Sequence, residues 1–181
     1  MSIRSIAVFM GSQFGVQSEF KTVATALGAA LADQKITLVY GGGRDGLMGV
    51  TARTAMAHGG QVIGVSPKNL AEDAISPAEI TQLIAVDTMS ERKQLLMSHA
   101  DAFIVLPGGF GTLEELSQVI SWARIGLHHK PLVLLDVNGF YDHLWAWMND
   151  SVTNGFVDVA DMQHVTLCHS VDAALAHIKQ Y

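Results

Sequence analysis

The chain has 181 residues, 49% hydrophobic and only 15% charged, with a formal net charge of −6 and a single cysteine. That length fits one domain spanning residues 1–181, able to bury a core without disulfides or metal. The acidic balance, with no basic cluster beyond the pair Arg92-Lys93, excludes an electrostatic footprint for nucleic acid or an anionic membrane surface, so small ligands are expected.

In chain order, residues 5–10 form a short apolar run that reads as a buried strand, followed by a loop through Ser12 and Gly15 and a helix over residues 18–34. Phe20, Val23, Leu27, Ala30 and Leu31 give that helix its apolar stripe. A second strand, residues 36–40, runs into Gly41-Gly42-Gly43-Arg44-Asp45-Gly46 and a helix through Ala57, and a third strand, residues 61–65, stops at Pro67. This βαβαβ order is the signature of a parallel sheet wound with helices. Residues 67–77 read as irregular, with Glu72 and Asp73 as an acidic patch, before a fourth strand at 83–86. Thr88-x-x-Glu91 has the form of a capping box, and the helix it opens carries Arg92 and Lys93 in its first turn, where cations oppose the helix dipole. Such a placement asks what negative group they face.

Residues 102–106 form the central strand, which breaks into a glycine-rich turn and reopens as a helix to about Ile125. A sixth strand at 131–135, a helix at 141–154 ended by Gly155, a strand at 164–167 and a helix capped by Ser170 complete the pattern. The fold predicted is α/β, a doubly wound, mostly parallel, Rossmann-like sheet of about seven strands in a single domain, with its ligand at the carboxyl ends of the strands.

The turn Pro107-Gly108-Gly109-Phe110-Gly111-Thr112 carries the strongest chemical signal. Three glycines in four positions leave backbone N–H groups bare, and the following helix aims its positive end at the same spot, which suits a phosphate. A second reading is available, because Thr112-x-x-Glu115 also matches a capping box, and Glu115 would then serve only the helix start. A cap needs one permissive residue at most, whereas Gly108, Gly109 and Gly111 clear a whole face of the turn for a ligand.

Gly41-x-Gly43-x-x-Gly46 matches the dinucleotide fingerprint, so an NAD-dependent oxidoreductase has to be weighed. Against it, the motif follows the second strand, and Gly64-Val65-Ser66-Pro67 supplies no acid for the ribose hydroxyls. The eight histidines, His128-His129 included, make no ligand set, so neither metal nor cofactor is expected. Cys168 lies in an apolar run and reads as a buried small residue. No segment has the length of a membrane span or the pattern of a signal peptide, and a cytoplasmic location is expected. The low charge also predicts apolar surface buried between subunits, with Trp122, Trp145 or Trp147 on the contacting helices.

Pro107-Gly108-Gly109-Phe110-Gly111-Thr112-Leu113-Glu114-Glu115 resembles the P-G-G-x-G-T-x-x-E motif of the Lonely Guy family, the cytokinin riboside 5'-monophosphate phosphoribohydrolases, long labelled lysine decarboxylases. Met89-Ser90-Glu91-Arg92-Lys93 is similar to the family's M-H-x-R-K motif, and the similarity continues through Tyr40 to Gly43, Gly46 to Gly49, Gly64 with Pro67, and Val137 to Tyr141. The resemblance implies hydrolysis of the N-glycosidic bond of AMP or an N6-substituted AMP to free base and ribose 5-phosphate, in a homodimer. It places the catalytic pair on Arg92 and Glu115 and the phosphate-binding backbone on Gly108, Gly109, Gly111 and Thr112. The expected substrate-binding set also takes in Glu114, Lys93, Met89, Gly42, Gly43 and Ser12. Two departures stand out: the family histidine is Ser90, and a glutamate before the fourth strand is Ala74, leaving Asp73 or Glu72 to reach the substrate. Arg92 could offset charge on the departing base or hold Glu115 and the ribose, and both roles stay open. A non-catalytic nucleotide sensor or carrier on the same fold is the alternative, which retention of both Arg92 and Glu115 argues against.

Overall fold

Side chains alternate across a strand, so a strand that is apolar at every position must be covered on both faces. The first strand, β1 (Ser5–Phe9), shows this directly: Ile6 and Val8 enter one core, Ala7 and Phe9 the other. The central strand repeats it, with Ala102 and Ile104 on one side and Phe103 and Val105 on the other. The computed structural model describes residues 3–181; Met1 and Ser2, which the expected domain includes, lie outside the described residues.

After β1 come α1 (Ser18–Asp33), β2 (Thr37–Tyr40), α2 (Gly46–Ala57), β3 (Val62–Pro67), β4 (Gln82–Val86), α3 (Met89–Ser98), β5 (Ala102–Val105), α4 (Phe110–Arg124), β6 (Leu132–Leu135), α5 (Asp142–Thr153), β7 (Val165–Cys168) and α6 (Val171–Gln180). The first core is closed by α1, α2 and α6, through residues such as Leu27, Ala52 and Leu175. The second is closed by α3, α4 and α5, through Leu96, Leu116 and Met148. Residues expected to be irregular contain a short 3-10 helix, Lys68–Asp73, and another, Val159–His164, precedes β7.

The sheet runs β4-β3-β2-β1-β5-β6-β7, and every pairing is parallel. The chain works outward from β1 to the β4 edge, returns through α3 to lay β5 against β1, then continues to the opposite edge. Connections leaving β1 and β5 therefore depart to opposite faces and open a crevice between them, the place where doubly wound sheets bind ligands. Trp122 and Trp145 pack partly buried against the second core of their own chain, whereas Trp147 is exposed. Cys168 is buried. No helix among the described residues is long and apolar enough to cross a membrane.

Candidate active site

The glycine turn stands at the crevice between β1 and β5. Its position is fixed from both neighbours: Gly11 N donates to Pro107 O at 3.1 Å, and the buried Tyr141 hydroxyl donates to Leu106 O at 2.7 Å. A side chain at Gly108 would meet Thr112 Oγ1 at 2.1 Å, so only glycine lets the turn close onto its own helix. At Gly109 and Gly111 a Cβ would meet nothing within 4 Å, so the exposed face of the turn is open to an approaching group. Helix α4, 15 residues long, begins at Phe110 and points its N-terminus there.

The capping-box reading of Thr112 and Glu115 is not what forms. Gly109 is the N-cap of α4, three residues before Thr112, which makes Thr112 the third helical residue and buries it. Glu115 therefore lies a turn inside the helix and faces α3. Its Oε1 is 3.0 Å from Arg92 Nη1, with the two side chains only 11% and 12% exposed. Burial pushes the Glu115 carboxyl above the usual carboxylate range, and the attraction of Arg92 only partly opposes this.

Arg92 is delivered by a helix start that does use its cap. Thr88 Oγ1 accepts from Glu91 N at 3.1 Å, while Glu91 Oε2 accepts from Asp87 N at 3.0 Å. From the first turn of α3 the guanidinium reaches the strand ends, donating through Nε to Val65 O at 3.2 Å, through Nη2 to Gly41 O at 3.5 Å and through Nη1 to Met89 Sδ at 3.5 Å. A Cβ at Gly41 would come within 2.0 Å of Nη2, so the first glycine of the fingerprint-like run makes room for Arg92. The last of them, Gly46, has φ +58° and would press a side chain against the Ser12 backbone at 2.3 Å. Packing thus accounts for that spacing without a dinucleotide.

A cavity of about 400 Å³ opens beside Arg92, lined by Ser12 and Gln13 after β1, Gly43 after β2, and Ser66 and Asp73 at and after the end of β3. An adjoining cavity of about 270 Å³ shares Ser12 and Gln13 and is walled by Pro107, Gly108, Gly109 and three phenylalanines. Ser12, Gly43 and Arg92 line the first cavity and Ser12, Gly108 and Gly109 the second, with Glu115 joined to the first through Arg92. Met89 holds the guanidinium. Lys93 and Glu114 pair with each other as a second tie between α3 and α4, with Glu114 half exposed. Gly42 is a correction to the expected set: it is buried with φ +76°, packed against Ser66 and Leu83, and its carbonyl accepts from Ile75 N at 2.8 Å rather than lining the cavity. Gln13, Arg44, Asp45, Met48, Ser66 and Leu70 line the cavity without having been singled out from sequence. Most of them follow strand ends that the sheet order sets side by side, and that adjacency is invisible in one dimension. Among the described residues no group of three or more His, Cys, Asp or Glu side chains could hold a metal ion.

Fold and site together define a doubly wound α/β domain with an open glycine turn at a helix N-terminus, next to a buried carboxylate–guanidinium pair. A family model described as "possible lysine decarboxylase" matches residues 48–178. The cytokinin riboside 5'-monophosphate phosphoribohydrolase LOG2 of Arabidopsis thaliana is 40% identical over 98% of this chain and 84% of its own length. The cytokinin riboside 5'-monophosphate phosphoribohydrolase of Rhodococcoides fascians is 40% identical over 97% and 89%. Among solved structures, a molybdenum cofactor binding protein from Rippkaea orientalis superposes with a TM-score of 0.74 at 23% identity, covering 99% of this chain and 98% of that one, a likeness of fold alone. The chain belongs to the Lonely Guy family, the family of these phosphoribohydrolases.

Proposed function

We propose that this chain hydrolyses the N-glycosidic bond of AMP or an N6-substituted AMP, a cytokinin riboside 5'-monophosphate, to give free base and ribose 5-phosphate. The observation that carries the reading is the Arg92–Glu115 pair, buried at 3.0 Å beside the open glycine turn. The 5'-phosphate sits on the bare N–H groups at the start of α4 and anchors the ribose. Glu115 takes a proton from water as its oxygen attacks the anomeric carbon, stabilising the oxocarbenium-like ribose on the way. The bond to the base breaks with its electron pair, and the departing nitrogen is protonated from solvent. A carboxyl raised above its usual range is a better base for this step than an exposed one.

The geometry favours a holding role for Arg92. Of its five N–H groups, four are directed at Val65 O, Gly41 O, Met89 Sδ and Glu115, leaving one on Nη2 for substrate. The decarboxylase description has no counterpart in this site: no lysine lines the cavity beside Arg92, and Lys93 is taken up by Glu114.

The test compares AMP with adenosine, following free adenine by chromatography. Losing the phosphate should lower kcat/KM by about two to four orders of magnitude, as expected for several charge-assisted hydrogen bonds. Equal cleavage of the two would remove the anion-site reading. Tight binding of AMP without adenine release would favour the carrier alternative.

The same proposal includes a homodimer. Phe110, Leu113 and Trp147 are 91%, 42% and 64% exposed, and Leu113 and Trp147 border one apolar groove between α4 and α5. Light scattering at micromolar concentration should give twice the chain mass, and a monomer mass would refute it.

A further inference from the structure

Along the carboxyl edge of the sheet, the glycine turn follows β5, Ser12 and Gln13 follow β1, the Gly41–Gly43 run follows β2, and Asp73 lies beyond β3, in the spatial order β5-β1-β2-β3. Three inter-strand spacings of about 4.8 Å make about 14 Å, the scale of a nucleotide laid out from phosphate to base. With the phosphate on the turn and the bond to be broken by Arg92 and Glu115, the base falls at the β3 end of the cavity. This step rests on the hydrolase reading above.

Asp73 is held at that end by its backbone. Arg44 N donates to Asp73 O at 3.0 Å, Gly43 and Ala74 form an antiparallel bridge, and Ile75 N donates to Gly42 O at 2.8 Å. These bonds pin the main chain after the 3-10 helix against the loop that leaves β2, so the exposed Asp73 stands at a fixed point of the cavity rim. The cavity has two carboxylates on its lining. Asp45 is paired with Arg44, Oδ2 to Nε at 3.4 Å, while the side chain of Asp73 has no hydrogen-bond or ion-pair partner among the described residues. Glu72 does not line the cavity, and Ala74 offers no polar side-chain atom. A carboxylate only accepts hydrogen bonds. Set against position 6 of a purine, it matches the amino group of adenine and repels the carbonyl oxygen of a 6-oxopurine.

We infer that Asp73 reads the exocyclic amino group of the base, so that the site selects 6-aminopurine nucleotides over 6-oxopurine nucleotides. An N6-alkylated adenine keeps one N–H and remains acceptable. Asp73 is a specificity-determining residue here and takes no part in bond breaking.

The experiment measures kcat and KM for AMP, IMP and GMP on the intact protein and on Asp73→Asn and Asp73→Ala, with calorimetric binding of AMP and IMP alongside. The parent should prefer AMP over IMP by about 30-fold or more, since a site that pairs with a substrate N–H discriminates strongly against an analogue lacking it. Asp73→Asn, whose amide can donate to a carbonyl, should bring the AMP-to-IMP ratio to within about threefold, mainly through KM. Asp73→Ala should lower AMP and leave IMP nearly unchanged. An unchanged ratio in both variants, or an equal fall for all three nucleotides, would overturn the inference. If the parent releases no base from any nucleotide, the hydrolase reading falls by itself, and binding decides for Asp73: AMP must bind tighter than IMP, and Asp73→Asn must erase the difference.

Discussion

Two stretches of this chain carry the same T-x-x-E pattern, and only one of them is a cap. At Thr88-x-x-Glu91 the helix starts where the pattern says, the Thr hydroxyl accepts from Glu91 N, and Glu91 stays at the surface on Asp87 N. At Thr112-x-x-Glu115 the glycine turn lets α4 start three residues earlier, so the same two residue types fall inside the helix. The threonine is then buried against Gly108, and the glutamate meets Arg92. Identical spacing yields a helix cap at one site and a buried ion pair at the other because the residue that begins the helix differs. The cap at Thr88 opens the helix that carries Arg92, and the bonds of the guanidinium to Val65 O and Gly41 O hold it beside Glu115.

The largest test of this contrast is the pair Glu115→Gln and Glu91→Gln. Glu115→Gln should lower kcat for AMP by about two to four orders of magnitude, the usual worth of a positioned general base, while AMP still binds. Glu91→Gln, which can still accept a backbone hydrogen bond, should change kcat by less than about threefold. Steady-state adenine release with calorimetry distinguishes the two, and equal effects would make Glu115 another cap. Next, Gly41→Ala should displace the guanidinium its Cβ would touch and cost about ten- to a hundredfold in kcat, because a catalytic group misplaced by about 1 Å loses about that much. Its far-ultraviolet circular dichroism should match the parent.

The pH dependence comes next. The acid limb of kcat/KM should lie above the usual carboxylate range, because Glu115 must lose a proton that burial helps it keep. Stability carries the same sign. A carboxyl whose folded pKa exceeds its unfolded value favours the fold most below the unfolded value, and that contribution is lost as pH rises through the folded one. Thermal melts of the parent should therefore fall relative to Glu115→Gln across that window, and a parent that gains on Glu115→Gln there would contradict the burial argument. The smallest effect expected is Thr88→Ala, which removes a true cap and should cost about 1 kcal/mol, a fall of about 2 to 4 °C in Tm for a chain of this size.

The sequence by itself determined the alternation of strands and helices, because apolar runs of strand length and amphipathic helices are local patterns. It also determined the permissive turn at Gly108, Gly109 and Gly111, whose conformational freedom belongs to glycine wherever it stands. Arg92 and Glu115 were legible as candidates only through their motifs. Their contact was decided by tertiary structure: residues 23 positions apart meet because β5 returns beside β1 and sets α3 and α4 on the same face. The same reason hid most of the cavity lining, since Gln13, Met48, Ser66 and Leu70 are unremarkable until neighbouring strands end side by side. It moved Gly42 from the site to the interior, where pairing with Ile75 uses its carbonyl. Local chemistry fixes what a residue can do. Which residues share a crevice follows from strand order, and strand order is settled by how two separate cores close on the two faces of one sheet.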